Sequence, residues 1–258
     1  MLSTAINPLA TAGSGSMPLP LAQIPPSGAT ARSIASTLDL LSSILMPQRR
    51  VIRAGDVIYR VGERFSNLYV LNSGYCKIVN LSPDGREQVV ALKFRGDWLG
   101  FDGIADGEYT CDAVAIDTGE VWVIPYAAAL AACVANPTLL SVMHEAMSRE
   151  IANERDSFMS VCTLTAEARV AEFLRYWADS IAQRGMRTDQ ITLRMTRAEM
   201  GNYLGMTLET VSRSLSRLAK EQLIQFAEKG RRDIRIPCVD ALKAFVARSL
   251  VPASRVLQ

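Results

Sequence analysis

The sequence predicts an α+β protein: a β-rich half comes first, a long helix follows, and a helical module with a β-hairpin comes last. Three observations lead to this prediction. Short apolar runs alternate with Gly-containing turns between residues 49 and 125. Beyond residue 137 the apolar residues recur at helical spacing, and near residue 205 a glycine separates two short helices. The 258 residues, of which 49% are hydrophobic, suffice for two modules that each have a core.

The first 36 residues differ in composition from the rest of the chain. They are rich in Ala, Ser, Pro and Gly, and they contain Pro25-Pro26. Such a segment buries too little apolar surface to offset the entropy lost on ordering, so residues 1–36 are predicted to be a disordered tail. A short helix is expected directly after it, around Thr37–Leu41.

Residues 37–135 are predicted to form the β-rich domain. Short strands separated by turns at intervals of about 8–12 residues are typical of an antiparallel sandwich or barrel. The predicted turns include Arg53–Asp56, Asn72–Gly74, Ser82–Gly85 and Arg95–Asp97.

A helix is predicted over residues 136–163, and Asn136-Pro137 opens it. Its apolar residues recur in steps of three and four, which is the pattern of a seam between two helices. We therefore predict that two copies of the chain pair along this helix. The residues of this predicted seam are Leu140, Met143, Met147, Ile151, Glu154, Phe158 and Val161.

Glu154 places a carboxylate in this stripe, and two interpretations remain open. On a dimer seam it would face its own copy, and like charges at close range are unfavourable, so the dimer would be weak or conditional. On a helix that packs within one subunit, Glu154 would simply point to solvent.

The C-terminal module is predicted over residues 164–245, followed by a flexible tail over 246–258. Its first helix begins at Thr165, after a hinge near Cys162–Thr165. The spacing of the apolar residues in this helix predicts one inward face. That face comprises Val170, Phe173, Leu174 and Trp177.

Two short helices follow. Thr196 and Glu199 have the spacing of a capping box, which predicts a helix start, and Gly205 is expected to end that helix in a left-handed conformation. Thr207 then caps a second helix. Two helices joined by a turn of about three residues predict a helix-turn-helix. The apolar face of the second helix is predicted to comprise Leu208, Val211, Leu215 and Leu218.

The opposite face of the second helix is polar. It carries Glu209, Ser212, Arg213, Ser216 and Arg217. Arg binds O6 and N7 of guanine in a bidentate manner and Glu accepts from N4 of cytosine, so Arg213 and Glu209 are predicted to contact base edges of double-stranded DNA. Ser212 is expected to contact a base or a phosphate. Arg197 and Thr207, at the two helix N-termini, complete the predicted contacts of this motif.

A β-hairpin is predicted after the second helix, from Leu223–Phe226 and Ile234–Ile236. It forms a wing, and its basic tip is predicted to contact phosphates through Lys229, Arg231 and Arg232. The distribution of charge agrees with this interpretation. Residues 165–236 carry 13 basic and nine acidic side chains, whereas residues 1–164 carry 12 and 16. Such asymmetry is expected when one half of a chain contacts a polyanion.

Composition excludes several classes of protein. His144 is the only histidine, and the five cysteines show no C-x-x-C spacing, so neither a metal site nor a catalytic nucleophile is predicted. The longest nearly uncharged run, Val121 to Ala135, has 15 residues and contains Pro125, too short to span a membrane. No Lys or Arg precedes Arg32, so no signal peptide is expected and the protein is predicted to be cytoplasmic.

Three stretches resemble the Crp/Fnr family of bacterial transcription regulators, and the resemblance covers residues 40–245. They are Gly96-Asp-Trp-Leu-Gly-Phe-Asp102, Met195-Thr-Arg-Ala-Glu-Met-Gly-Asn-Tyr-Leu-Gly-Met206 and Thr207-Leu-Glu-Thr-Val-Ser-Arg213. The resemblance is closest to the Fnr branch. It implies an antiparallel β-roll of the cyclic-nucleotide-binding jelly-roll type, a homodimer through the long helix and a winged helix-turn-helix.

The resemblance also implies functional roles. The Glu-x-x-Ser-Arg spacing is the half-site reader of the Fnr branch, so Glu209, Ser212 and Arg213 take that role, and the operator is an inverted repeat of the TTGAT…ATCAA type. Contacts with RNA polymerase, as in a transcription activator, are expected from the β-roll. The hairpin with Asp84, Gly85 and Arg86 is the expected surface.

The residues that bind the two familiar effectors of the family are absent from this sequence. Oxygen-sensing members hold an iron–sulfur cluster on N-terminal cysteines, but no cysteine precedes Cys76, and Trp122 stands where the β-roll ligand would fall. Cyclic-nucleotide binders carry a Gly-Glu and an Arg-Ser pair. Gly100-Phe101 and Tyr109-Thr110 replace them, so the phosphate loses its charge partner. No cofactor is predicted, and cyclic AMP is not expected to bind.

The signal therefore has three possible sources at this point. The β-roll could bind another small molecule, thiols such as Cys76 or Cys111 could respond to oxidants, or the protein could sense nothing and be controlled by its abundance. Haem would need His144 as its axial ligand, and a lone histidine is more often a surface or packing residue. Two rival classes remain. A small-ligand receptor would be tested by calorimetry against cyclic nucleotides, for which no heat of binding is predicted. An enzyme would need a polar catalytic constellation, and none is found in the sequence of the β-roll.

Overall fold

The computed structural model describes residues 33–82, 85–188, 190–227 and 233–249. The helices are α1 (Ile34–Leu45), α2 (Tyr126–Ala135), α3 (Pro137–Thr163), α4 (Ala166–Ala182), α5 (Arg197–Leu204), α6 (Leu208–Lys220) and α7 (Val239–Ser249). The strands are β1 (Gln48–Ile52), β2 (Val57–Tyr59), β3 (Asn67–Ser73), β4 (Cys76–Leu81), β5 (Glu87–Lys93), β6 (Trp98–Leu99), β7 (Asp112–Ala115), β8 (Gly119–Pro125), β9 (Gln190–Thr192), β10 (Gln225–Phe226) and β11 (Asp233–Arg235).

The first eight strands form a β-roll of two antiparallel four-stranded sheets, which confirms the predicted fold class. The strand orders are β1-β8-β3-β6 and β2-β7-β4-β5. Alternate side chains of these strands point inward and pack together, because neighbouring residues of a strand face opposite sides. The enclosed core includes Ile52, Tyr59, Leu71, Cys76 and Val121, each at most 2% exposed.

Helix α1 begins inside the range 1–36 that the sequence assigned to a disordered tail. The Ser33 hydroxyl accepts a hydrogen bond from the Ser36 N–H, which caps the helix, and Leu38 and Leu41 are buried. Residues 1–32 of the predicted tail lie outside the described residues. At the other end, α7 continues to Ser249 into the predicted tail 246–258, because Val246 packs against the C-terminal core.

Helix α3 has 27 residues, and its two halves have different environments. Leu139, Val142 and Ala146 of the first half are buried against α2 and the β-roll. Residues 151–156 are all exposed. The helix ends at Thr163, and Thr165 caps α4 with its hydroxyl, so the predicted hinge falls between two helices. No helix among the described residues is long and apolar enough to cross a membrane.

The C-terminal module packs α4 to α7 on a three-stranded antiparallel sheet of order β10-β11-β9. The predicted inward residues of α4, Val170 to Trp177 at helical spacing, are all buried. Strand β9 was not predicted. It pairs Ile191 with Ile234, and the alternation of buried Ile191, Leu193 and Met195 was the signal that could have revealed it.

Candidate nucleic-acid interface

Helix α5 begins with the predicted capping box. The Thr196 hydroxyl accepts from the Glu199 N–H at 3.1 Å, and the Thr196 N–H donates to Glu199 Oε2 at 2.8 Å. Gly205 ends the helix with φ of 64°, a left-handed conformation that glycine adopts without a steric penalty. Each of these local features follows from the sequence as predicted.

A glycine inside α5 allows the two helices of the motif to approach closely. A Cβ atom on Gly201 would lie 2.5 Å from the Met206 carbonyl oxygen, so only glycine fits there. The Arg169 guanidinium of α4 donates from Nη1 to the Leu204 carbonyl at 2.8 Å and so satisfies one acceptor at the end of α5. The roles of Gly201 and Arg169 could not be predicted from the sequence, since they depend on tertiary contacts.

Helix α6 is capped by Thr207, whose hydroxyl accepts from the Thr210 N–H at 3.2 Å. Val211, Leu215 and Leu218 are at most 1% exposed, as predicted. Leu208 was predicted on the same face but is 44% exposed. Ser214 is buried instead, which moves the centre of the covered face by part of a turn and leaves Leu208 at its edge.

The predicted polar face of α6 is accessible. Glu209, Arg213, Ser216 and Arg217 are exposed, and Ser212 is half-buried. Arg213 Nη2 donates to Thr210 Oγ1 at 3.3 Å, a weak contact that leaves the guanidinium accessible. Arg217 is more engaged, because it pairs with Glu167 at 3.1 Å and with Glu221 at 3.5 Å.

The remaining predicted DNA contacts are distributed around this face. Thr207 is exposed at the start of α6. Arg197 is half-buried at the start of α5, and its Nη1 lies 3.5 Å from Met200 Sδ. Strands β10 and β11 form the predicted wing, but Lys229, Arg231 and Arg232 lie outside the described residues.

A set of hydrogen bonds attaches α5 to the β4–β5 hairpin. Asn202 Oδ1 accepts from the Val89 N–H at 2.5 Å, and Asn202 Nδ2 donates to the Glu87 carbonyl at 2.7 Å. Gln88 Nε2 donates to the Asn202 carbonyl. These contacts satisfy backbone groups of β5 with a side chain of the helix-turn-helix, so they fix the helix-turn-helix against the β-roll.

An ion pair reinforces this attachment. Lys77 Nζ of β4 lies 2.6 Å from Glu199 Oε1 of α5. Burial alone would raise the pKa of Glu199, but the hydrogen bonds from Lys77 and Thr196 outweigh burial and hold the pKa below its ordinary value. A lowered pKa means that this contribution to stability is present above the ordinary value and is lost as pH falls through the folded-state pKa.

An apolar core also joins the two modules. Trp177 of α4 is 1% exposed, and its ring centre lies 5.4 Å from Tyr75 and 5.3 Å from Phe94, both in the β-roll. Val89 and Leu92 of β5 belong to the same buried cluster. The sequence predicted an inward face on α4 but gave no indication that part of its partner surface is the β-roll.

In the structure, the residues of the predicted seam on α3 differ in exposure. Ile151 and Phe158 are 56% and 68% exposed, and Leu140, Glu154 and Val161 are also exposed. Met147 is half-buried. Met143 is 5% exposed within its own subunit, where its Sδ lies 3.5 Å from Cys133 Sγ, so its assignment to a dimer seam was wrong. The β-roll covers the side of the helix next to the stripe, and Met143 lies at that border.

The cysteines do not fit an iron–sulfur cluster. Cys76 and Cys111 are buried in the β-roll core, Cys133 is buried against α3, and Cys162 and Cys238 are exposed far along the chain. In the part of the chain that the structure describes, no three His, Cys, Asp or Glu side chains are grouped as metal ligands. A cluster needs about four convergent ligands, and these residues do not supply them.

Trp122, at the predicted position of the cluster ligand in the β-roll, and Tyr109, at that of the phosphate-holding pair, both make contacts within the β-roll. Trp122 is 4% exposed, and its Nε1 donates to Glu120 Oε1 at 2.9 Å. Tyr109 is buried, its hydroxyl donates to the Asn67 carbonyl at 2.8 Å, and its ring stacks on Tyr59 at 4.1 Å. A neutral phenol at this position supplies no cation for a cyclic phosphate.

The fold and this surface define a class of protein: a transcription regulator in which a β-roll precedes a helix-turn-helix DNA-binding domain. Known protein families agree with that class. Residues 49–136 match the cyclic nucleotide-binding domain, and residues 168–245 match the Crp-like helix-turn-helix domain. The chain belongs to the Crp/Fnr family of transcription regulators, within which it is Fnr-like, and the relatives that it resembles are regulators, not enzymes.

The relatives show how far the similarity extends. The fumarate and nitrate reduction regulatory protein of Salmonella typhimurium is 34% identical over 212 residues, which is 82% of this chain and 83% of the relative. The protein of the same name in Escherichia coli K12 is 34% identical over 194 residues, 75% of this chain and 76% of the relative. The solved structure of FixK2 from Bradyrhizobium japonicum has 26% identity and a TM-score of 0.68, and covers 77% of this chain and 96% of that one.

Proposed function

We propose that this Fnr-like regulator binds, as a homodimer, an inverted repeat of the TTGAT…ATCAA type and activates transcription in the cytoplasm. One observation carries the proposal. Helix α6 buries Val211, Leu215 and Leu218 while it exposes Glu209 and Arg213 on the opposite face. A helix anchored on one side with a carboxylate and a guanidinium on the other suits the major groove.

The proposed roles of the polar residues follow from their chemistry. Arg213 donates to guanine and Glu209 accepts from cytosine N4, so the pair discriminates a G·C base pair within each half-site. Ser212 assists at a base or a phosphate. The residues that are proposed to contact phosphates, and so to add affinity without sequence preference, are Arg197, Thr207, Ser216, Arg217, Lys229, Arg231 and Arg232.

We expect the full-length protein to prefer a TTGAT…ATCAA duplex over a scrambled duplex of equal length and composition. The preference should be about 10³-fold or more, since specific sites are typically bound that much more tightly than random DNA. Fluorescence anisotropy at fixed salt measures both affinities. Equal affinities for the two duplexes would contradict the proposed operator.

Exposure of the α3 stripe supports the homodimer. Ile151 and Phe158 are large apolar side chains that nothing covers within the described chain. An exposed apolar stripe on a long helix is typical of a contact with a second helix. Of the two interpretations of Glu154, this arrangement favours the one in which it meets its copy and weakens the dimer, because residues 151–156 are not packed within the subunit.

We expect Phe158→Asp to shift the protein towards monomer, since it places a second pair of like charges on the seam. The matched control is Met159→Asp, which introduces the same charge at a residue that is 50% exposed but lies about 100° around the helix. Sedimentation velocity over a range of concentrations measures the dissociation constant. Equal shifts for both variants, or none, would contradict the proposed seam.

We propose that the hairpin between β4 and β5 contacts RNA polymerase. Gly85 and Arg86 are exposed, and the turn is closed by hydrogen bonds between the Gly85 N–H and the Ser82 carbonyl and between the Ser82 N–H and the Arg86 carbonyl. Asp84 lies outside the described residues. Asn202 of α5 is bonded to Glu87 and Val89 directly beside this turn, and Lys77 at the far end of the hairpin pairs with Glu199 of α5. The proposed contact surface is therefore attached to the DNA-binding motif.

We also propose that the protein works without an iron–sulfur cluster, cyclic AMP or a redox switch at Cys76 or Cys111. Burial raises the pKa of the Cys76 thiol to about 12. Burial, and then the charge of Asp102, raises the pKa of Cys111. The thiolate is the reactive form, so both thiols are poor redox sensors at neutral pH.

A further inference from the structure

Asp102 accepts hydrogen bonds from four donors. It lies in the short 3₁₀ helix Phe101–Gly103, between β6 and β7. Its Oδ2 accepts from the Thr110 N–H at 2.8 Å, from the Thr110 hydroxyl at 3.2 Å and from the Cys111 thiol at 3.2 Å. The Tyr59 hydroxyl donates to Oδ1 at 3.4 Å. One carboxylate therefore gathers four donors from two separate segments.

Two of these donors, the N–H and the hydroxyl of Thr110, converge on one oxygen atom. Tyr109-Thr110 occupies the position of the phosphate-holding pair in the resemblance described above. A backbone N–H and a hydroxyl that point at one oxygen form a cradle suited to phosphate or carboxylate, because both anions accept several short hydrogen bonds. In this chain the oxygen in the cradle belongs to Asp102 of the same protein.

Cys111 and Tyr59, which donate hydrogen bonds to Asp102, keep their protons. Burial and the nearby Asp102 carboxylate raise the pKa of Cys111, so the thiol keeps its proton. Burial, followed by Cys111 and Asp102, also raises the pKa of Tyr59. A charged acceptor surrounded by protonated donors satisfies the requirement that a buried or half-buried charge be hydrogen-bonded.

The cradle lies near the contact between the β-roll and α3. Lys93 of β5 is buried, and its Nζ lies 2.5 Å from Glu150 Oε1 of α3. Burial raises the pKa of Glu150 against the effect of Lys93, and the charges of Glu154 and Asp102 raise this pKa further. Phe101 and Ile104 of the same turn pack against the buried cluster that contains Met143 of α3, so the turn that Asp102 closes is part of the surface on which the long helix rests.

We infer that Asp102 is a built-in anionic ligand of the β-roll: its carboxylate fills the cradle at Thr110 and Cys111 and holds the 101–111 turn closed without an anion from outside. This goes beyond the proposed operator and does not depend on it. It also argues against an anionic small molecule as the effector of the β-roll, which is one form of the first of the three possibilities that the sequence left open.

The test removes the Asp102 carboxylate by mutation and then supplies a free carboxylate in solution. Asp102→Ala should lower the melting temperature by roughly 5–10 °C, since hydrogen bonds to a charged group are lost and each contributes a few degrees in a chain of this length. Sodium formate, which is a free carboxylate, should restore at least half of that loss relative to sodium chloride at equal ionic strength. The wild-type protein should gain nothing from formate or from inorganic phosphate beyond the effect of the salt.

Two further variants complete the test. Asp106→Ala, which removes an exposed aspartate from the same turn, should leave the melting temperature unchanged and show no response to formate. Asp102→Asn keeps the shape of the side chain, so it should melt below the wild type, exchange the Thr110 amide proton faster and show no recovery with formate. If Asp102→Ala does not fold, the melting temperature and the Thr110 amide exchange of Asp102→Asn test the inference.

Three results would overturn the inference. Asp102→Ala could melt like the wild type, it could melt lower but respond no more to formate than Asp106→Ala, or the wild type itself could be stabilised by phosphate. The readouts are melting temperature and amide exchange, so failure of the proposed DNA site would leave them unaffected.

Discussion

Arg213→Ala should reduce affinity for the TTGAT…ATCAA duplex by about 1–3 kcal/mol in each half-site, or roughly 2–6 kcal/mol for the dimer. Arg213 is exposed on α6, and within the described part of the chain its side chain makes one weak hydrogen bond, to Thr210. It can therefore turn to guanine without the loss of a strong contact. Affinity for scrambled DNA should fall much less, because that binding depends on phosphate contacts.

Arg217→Ala is the matched control for this prediction, since it removes the same side chain from the same helix. Arg217 is already paired with Glu167 and Glu221 in the free protein. We expect it to contact a phosphate, so its loss should weaken specific and scrambled DNA alike and reduce the slope of the salt dependence by about one. If Arg213→Ala also weakened both duplexes equally, the role assigned to Arg213 would be wrong.

Trp177→Ala should lower the free energy of unfolding by about 3–5 kcal/mol, the usual cost of replacing a buried large aromatic with alanine. Trp177 is 1% exposed and packs against Tyr75 and Phe94 of the β-roll as well as Phe173 of its own helix. The cavity would open in the core that joins the two modules. Unfolding of the two modules should therefore either separate into two transitions or remain one transition with its midpoint at a lower denaturant concentration.

Circular dichroism during urea unfolding measures this effect independently of tryptophan fluorescence. Trp177→Phe, which keeps an aromatic ring in the same site, should cost clearly less than the alanine variant. A loss below about 1 kcal/mol for Trp177→Ala would show that the site collapses around the smaller side chain or that the joint core contributes little.

Local chemistry allowed much of the fold and of the interface to be predicted. The capping box at Thr196, the glycine at 205 and the apolar spacing of α6 each depend on residues within one or two helical turns of one another. The polar face of α6 followed from the same periodicity, because a helix with one buried side must expose the other.

The features that were missed depend on residues far apart in the chain. Asn202 is an ordinary polar residue of α5 in sequence, and only the approach of β5 makes it a link to the β-roll. Met143 fitted the seam by spacing, but the fold covers it from its own subunit. Asp102 lies in a recognisable motif, yet its four donors come from Tyr59 and from residues 110–111, which no local pattern connects.

The most direct test of the account replaces the half-site guanine with 7-deazaguanine, which lacks the N7 acceptor but pairs normally. If α6 lies in the major groove and Arg213 donates to that guanine, the modified duplex should bind the wild-type protein more weakly. The loss of binding free energy should be at least about 1 kcal/mol per half-site. Arg213→Ala should bind the modified and unmodified duplexes with equal affinity. An equal penalty for both proteins would show that Arg213 does not contact this base, and the proposed mode of DNA recognition would be wrong.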